Sequence, residues 1–123
     1  MPMDLDLTRD EILTGETVDG VTVVEFKRGG IREEREVLRA LERLNHHVED
    51  SKNTNLILDL ARIEYLSSAG ICHMVGLLKK LRLGGGSLKL RNLRPTIMEL
   101  FEVMRLTQVF EIERAKSEAV DPS

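Results

Sequence analysis

Hydrophobic residues fall in two kinds of spacing along the chain, one suited to strands and one to helices. Glu11 to Thr17 and Val21 to Phe26 flank Val18-Asp19-Gly20, and an Asp-Gly pair between β-branched runs is a hairpin signal. Two N-terminal strands, paired antiparallel, are expected there. From Arg32 to Val48 the period changes: Val37, Leu38, Leu41, Leu44 and Val48 share one face of a helix, and Glu33 and Glu34 favour its positive end. Leu56 to Leu60 is a short apolar run after the turn residues Asn53, Thr54 and Asn55, which predicts a strand buried on both faces. Ile63, Tyr65 and Leu66 keep the chain apolar until Ser67-Ser68-Ala69-Gly70 replaces bulk with small residues. A helix begins there, because Ile71, Met74, Val75, Leu78 and Leu81 recur on one face and Lys79, Lys80 and Arg82 suit the last turn. Gly84, Gly85 and Gly86 end it, since glycine adopts the left-handed conformation of a helix terminus. Pro95 suits the first turn of a further helix, whose apolar face is Ile97, Leu100, Phe101 and Met104.

Serine at the head of the Ser68–Leu83 helix has two chemical uses. Its hydroxyl can accept from backbone N–H groups that lack intrahelical partners, or it can carry a phosphate of roughly −1.5 to −2 charge at the positive end of the helix dipole. Spacing leaves both uses open for Ser67 and for Ser68.

Composition narrows the function classes. The chain of 123 residues is the size of one domain, with a core over about 11–112 and a polar tail over 113–123 that frays. Its single cysteine, Cys72, forms no internal disulfide and suits a reducing cytosol. The formal charge is −3 with 32% charged residues of mixed sign, and only one tyrosine and three phenylalanines supply stacking surfaces. Direct nucleic-acid binding is not expected. The first ten residues carry charges and lack a continuous apolar core, and no run approaches the ~20 residues of a membrane span, so a cytoplasmic protein without membrane insertion is expected. His46 and His47 diverge on a helix, His73 and Cys72 lie elsewhere, and no metal framework emerges. Ser68 has no Ser-His-acid context, Gly84 to Gly86 lacks a phosphate-binding lysine, and Asp59 with Glu64 defines no cleft. Neither enzyme activity nor a cofactor is expected. The sequence leaves the oligomeric state open.

The stretch Asp59-Leu60-Ala61-Arg62-Ile63-Glu64-Tyr65-Leu66-Ser67-Ser68-Ala69-Gly70-Ile71 resembles the signature segment of the STAS domain, and within it the bacterial anti-sigma-factor antagonists. That family opens its helix with Asp-Ser-Ser-Gly or a close variant. Aligning the glycine on Gly70 sets the family's phosphorylated serine on Ser68, the next small residue on Ala69 and the usual aspartate on Ser67, with Ser67 a second candidate hydroxyl. The resemblance continues through Gly85-Gly86-Ser87-Leu88-Lys89-Leu90, a glycine turn and strand, through Asn92-Leu93-Arg94-Pro95, and through Leu106, Val109 and Phe110 into a last strand. Arg105 stands where the family usually has glycine. Near the basic connection Lys27-Arg28-Gly29-Gly30 the family's Gly-Glu-Leu-Asp-like segment is absent. The similarity covers roughly 55–112.

That resemblance implies a single α/β STAS-like domain: a mixed, largely parallel sheet with an N-terminal antiparallel strand, packed by helices over Arg32–Val48, Ser68–Leu83 and Pro95–Met104. It also implies that Ser67, Ser68, Ala69 and Gly70 contact an anti-sigma factor of the serine-kinase type, which binds the ATP. The antagonist would sequester this kinase and release a sigma factor, phosphorylation of Ser68 would reverse the binding, and a PP2C-type phosphatase would reset it. Two alternatives of other classes are a constitutive scaffold domain of a signalling or transport complex and a small-molecule sensor.

Overall fold

Asp19 and Gly20 both hold positive φ (52° and 80°), the backbone that a two-residue hairpin connection demands. β1 (Leu13–Val18) therefore folds back on β2 (Val21–Phe26) as an antiparallel pair, with Val18 opposite Val21. β1 begins two residues later than the expected Glu11, because the Asp10 carboxylate accepts from the N–H groups of Ile12 and Leu13 at 2.8 Å each. Burial pushes the Asp10 carboxyl up, but these two N–H donors and the Arg43 guanidinium outweigh it and hold the group below its ordinary value.

The computed structural model describes residue 7 and residues 10–27, 33–49 and 51–113. After the hairpin come α1 (Glu34–His47), β3 (Asn55–Asp59), α2 (Ser68–Leu83), β4 (Ser87–Arg91), α3 (Pro95–Val103), a 3-10 turn (Leu106–Gln108) and β5 (Glu111–Glu113). The start expected for the first helix at Arg32, most of the basic connection Lys27–Gly30 and most of the polar tail lie outside the described residues. Val48 and Met104, expected as last helical residues, are instead the C-caps of α1 and α3.

The sheet runs β1-β2-β3-β4-β5, antiparallel at the first pair and parallel thereafter. Every parallel crossover steps the same way, so the right-handed rule sets α1, α2 and α3 on one face. Burial agrees. Val24, Leu58 and Leu90 lie side by side in register and are fully buried, whereas the adjacent row Val23, Ile57 and Lys89 is only half-buried. β3 is thus covered fully on one face alone, not on both as its apolar run suggested. Among the helices, Val37, Leu41 and Leu44 of α1, Met74, Leu77, Leu78 and Leu81 of α2, and Ile97 and Phe101 of α3 complete the core.

The last strand is displaced from its expected place. Leu106, Val109 and Phe110 do not enter it, because the N–H groups of Val109 and Phe110 both donate to the Leu106 carbonyl (3.0 and 2.9 Å) and are spent on a local turn. Phe110 is buried and Leu106 packs against the core, while Val109 stays exposed; the Phe110 ring sits 5.7 Å from that of Phe101, a favourable aromatic separation. Pairing resumes only at Glu111. Arg105, before the turn, takes a left-handed φ of 59°, the conformation that a glycine would hold without strain.

Candidate functional site

The site is assembled where β3 ends. The Asp59 side chain, 7% exposed, accepts the Ala61 N–H at one oxygen and both Arg91 Nε and Asn92 Nδ2 at the other, each at 2.8 Å. Arg91 also reaches Glu25 at 3.2 Å. The hydrogen bond to Asp59 dominates the Arg91 environment and, despite partial burial, raises the guanidinium above its ordinary value. Arg94 Nε donates to the Ala61 carbonyl at 2.8 Å. Residues from β4 and the loop beyond it therefore fix the path of the chain leaving β3. Ion-paired and buried, Asp59 is a structural anchor rather than half of an acid pair, while Glu64 is exposed.

From there the chain alternates between anchoring and display. Leu60, Ile63 and Leu66 are buried, while Ala61, Arg62, Glu64 and Tyr65 are exposed, Tyr65 at 64%. Ser67 has extended backbone (φ −84°, ψ 168°) and its hydroxyl accepts the Gly70 N–H at 3.1 Å. It is the N-cap, and its carbonyl takes the first intrahelical bond, from Ile71 N–H at 3.0 Å. Ser68 is the first helical residue, exposed, and Ala69 beside it is exposed too. Gly70 is buried: a Cβ there would stand 2.7 Å from Leu66 Cδ1, so the missing side chain lets Leu66 tuck beneath the helix. The first turn of α2 carries no acidic side chain, and the positive end of its dipole is uncompensated from within.

The two serines thus have different surroundings, which spacing alone left open: one is engaged as a cap and the other is displayed. The sequence-based reading missed Arg91, Asn92 and Glu25. The resemblance of Asn92-Leu93-Arg94-Pro95 touched the neighbourhood, but no local pattern announces a bond spanning more than thirty residues. A surface cavity of about 470 Å³ lies at the carboxyl ends of β2 and β3, lined by Glu25, Lys27, Asp59, Arg62 and Asn92 among others. That is where open α/β sheets present their working surface. Cys72 is exposed, one helical turn beyond Ser68, rather than packed. Among the described residues no cluster of histidine, cysteine and acidic side chains could hold a metal, and no helix is long and apolar enough to cross a membrane.

Comparison with known proteins converges on one family. Residues 35–119 match the model of the STAS domain. The chain is 33% identical over 70 residues to BtrV of Bordetella bronchiseptica, whose name describes a candidate anti-sigma factor antagonist, over 57% of this chain and 60% of the relative. It is 36% identical over 67 residues to the anti-sigma-B factor antagonist of Bacillus subtilis, over 54% of this chain and 61% of that protein. These alignments span about three fifths of each relative's length. In fold, the chain superposes on a STAS-domain anti-sigma-factor antagonist from Planctomyces limnophilus with a TM-score of 0.73 at 21% identity, covering 87% of this chain and 93% of that one. The phosphorylated form of SpoIIAA from Bacillus superposes at 0.59 with 19% identity, covering 89% and 96%. With the signature segment, the sheet order and the family match in agreement, this chain belongs to the STAS domain family.

Proposed function

We propose that this chain is an anti-sigma-factor antagonist. In this reading the turn Ser67-Ser68-Ala69-Gly70 docks an anti-sigma factor of the serine-kinase type, and phosphorylation of Ser68 breaks the complex. The observation that carries the proposal is the division of labour between the serines: Ser67 is committed to Gly70 N–H while Ser68 is exposed on the first turn of α2. Ser67 replaces the aspartate usual at this place in the family, and since both residue types are strong N-caps, the substitution retains the cap while removing its charge. The names of the relatives favour the antagonist role, and SpoIIAA is known in both unphosphorylated and phosphorylated forms.

The physical switch is local. A phosphate on Ser68 brings roughly −1.5 to −2 charge and a tight hydration shell into a close interface, which disfavours association without unfolding either protein. ATP belongs to the kinase, a PP2C-type phosphatase resets the serine, and the antagonist catalyses nothing itself. Such an exchange frees a sigma factor in the cytoplasm.

Site-mapped mass spectrometry of the protein from its native cells, under growth and stress, tests the reading. Condition-dependent phosphate on Ser68, lost in Ser68→Ala, is the expected result, with Ser68→Asp weakening capture of the kinase. Undiminished phosphate on Ser68→Ala, mapped to Ser67 or elsewhere, removes Ser68 from the mechanism. The second reading is a constitutive scaffold domain, and a stable assembly indifferent to the state of Ser68 would put it first.

A further inference from the structure

On the helical layer, α1 and α2 leave between them an open groove of about 850 Å³. One wall is the stripe Arg35, Arg39, Arg43 and His46 of α1, and the other carries His73 and Lys80, two turns apart on α2. Half-buried Leu38 lies along it. Asn45 ties the helices together, donating through Nδ2 to the carbonyls of Leu41 and His73 at 3.0 Å each. Between His73 and Lys80 stands Gly76, where a Cβ would meet only Asn45 Oδ1, at 3.5 Å.

The groove is a positive exception on an acidic chain. Four arginine and lysine side chains face two carboxylates, Glu42 and Glu49, whereas the whole chain is −3. All three histidines of the chain line it as well. Arg43 is drawn toward Asp10 (3.5 Å) and Arg35 toward Glu33 (3.8 Å), which centres the available charge on Arg39 and Lys80.

A surface of opposite character lies elsewhere on the same molecule. With Ile97 and Phe101 buried, α3 turns Thr96, Glu99, Glu102 and Val103 outward, all exposed. Val103 is 75% exposed and Met104, just beyond, 46%. Carboxylates beside bare apolar side chains are what a basic groove with an apolar element accepts. Length agrees too: at 1.5 Å per residue the nine residues of α3 span about 13 Å, and the stripe from Arg35 to His46 about 17 Å.

We propose that the α1–α2 groove of one molecule receives α3 of a second copy, with Glu99 and Glu102 against Arg39 and Lys80 and Val103 toward Leu38. The two surfaces differ, so the contact is head-to-tail and leaves a free groove at one end and a free α3 at the other. Growth into rings or open chains follows. This assembly is independent of any modification at Ser68.

Sedimentation of the full chain tests it, with Arg39→Glu/Lys80→Glu as the groove variant and Glu99→Lys/Glu102→Lys as the α3 variant. At low salt the wild type should exceed its monomer mass of 14.0 kDa increasingly from micromolar to millimolar concentration, and should fall back at high salt. Each variant alone should stay monomeric. Mixing the two should restore assembly, because the charge-reversed surfaces are again complementary, and this recovery also shows that both variants are folded. Ser68→Asp should assemble like the wild type. A wild type monomeric at millimolar concentration overturns the proposal, as does a mixture that stays monomeric or association lost in only one variant. So does saturable binding of inorganic triphosphate or a glutamate-rich helical peptide, mapped by NMR to Arg39 and Lys80, in a chain that does not self-associate: the groove then has a foreign occupant.

Discussion

At its C-terminal end α2 is closed by backbone alone, and at its N-terminal end by one side chain. Beyond Leu83 the Gly85 N–H donates to the Arg82 carbonyl and the Gly86 N–H to the Leu81 carbonyl (3.0 and 2.8 Å), a Schellman closure with Gly85 left-handed at φ 85°. Neighbouring backbone then crowds in: a Cβ on Gly86 would lie 1.9 Å from the Thr54 carbonyl oxygen, and Asn53 N–H donates to the Gly84 carbonyl at 2.7 Å. At the other end Ser67 satisfies one N–H, and Ser68 and Ala69 stand in solvent. Both ends are written in small residues. At one end smallness makes room for backbone, and at the other it leaves a surface uncovered.

Substitutions should separate the two ends by size of effect. Gly86→Ala forces the Thr54 backbone aside and should cost about 4 kcal/mol or more, read as a fall in the urea midpoint. A loss under about 1 kcal/mol would mean that the β4 start yields easily. Asp59→Ala, beneath the open end, leaves Arg91 and Asn92 without their shared acceptor and should cost about 3 kcal/mol. Arg91→Ala added to it should cost less than its effect alone, because the partner is already lost. Ser67→Ala should cost about 1 kcal/mol as a lost cap, whereas Ser68→Ala should stay within about 0.5 kcal/mol of wild type. Equal losses for both serines would contradict their division of labour. Arg105→Gly extends the comparison to the end of α3, where arginine holds the left-handed position that Gly85 holds after α2. Relief of that strain should stabilise by about 0.5–1 kcal/mol, less the greater freedom of glycine in the unfolded chain, and thermal unfolding will register it.

The bounds of α2 were legible in sequence because both its ends are chemically marked, by serine and by glycine. α1 and α3 were legible from the period of Val37, Leu41 and Leu44 and of Ile97 and Phe101. The run Gly84-Gly85-Gly86 predicts a single helix stop, yet of the three only Gly85 is left-handed, and Gly86 is required for space. The resemblance through Leu106, Val109 and Phe110 runs on into the last strand, but β5 starts only at Glu111, because the N–H groups of Val109 and Phe110 are spent on the local turn, which residue type does not announce. At the site, which serine caps turns on a shift of one residue in backbone conformation, below the resolution of any pattern. The Asp59–Arg91–Asn92 bonds and the α1–α2 groove depend on elements brought together only by folding.

Because the strands lie across the sheet in the order in which they are synthesised, no strand must wait for a later one to be inserted between it and its neighbour. The hairpin forms from adjacent residues, and each helix-and-strand unit that follows adds to an edge already present, which keeps the sequence separation of contacts short and favours rapid folding as the chain emerges. The same order makes β5, only three residues long, the last strand to join. It is the edge from which the sheet opens most cheaply, with amide exchange fastest there and slowest in β3.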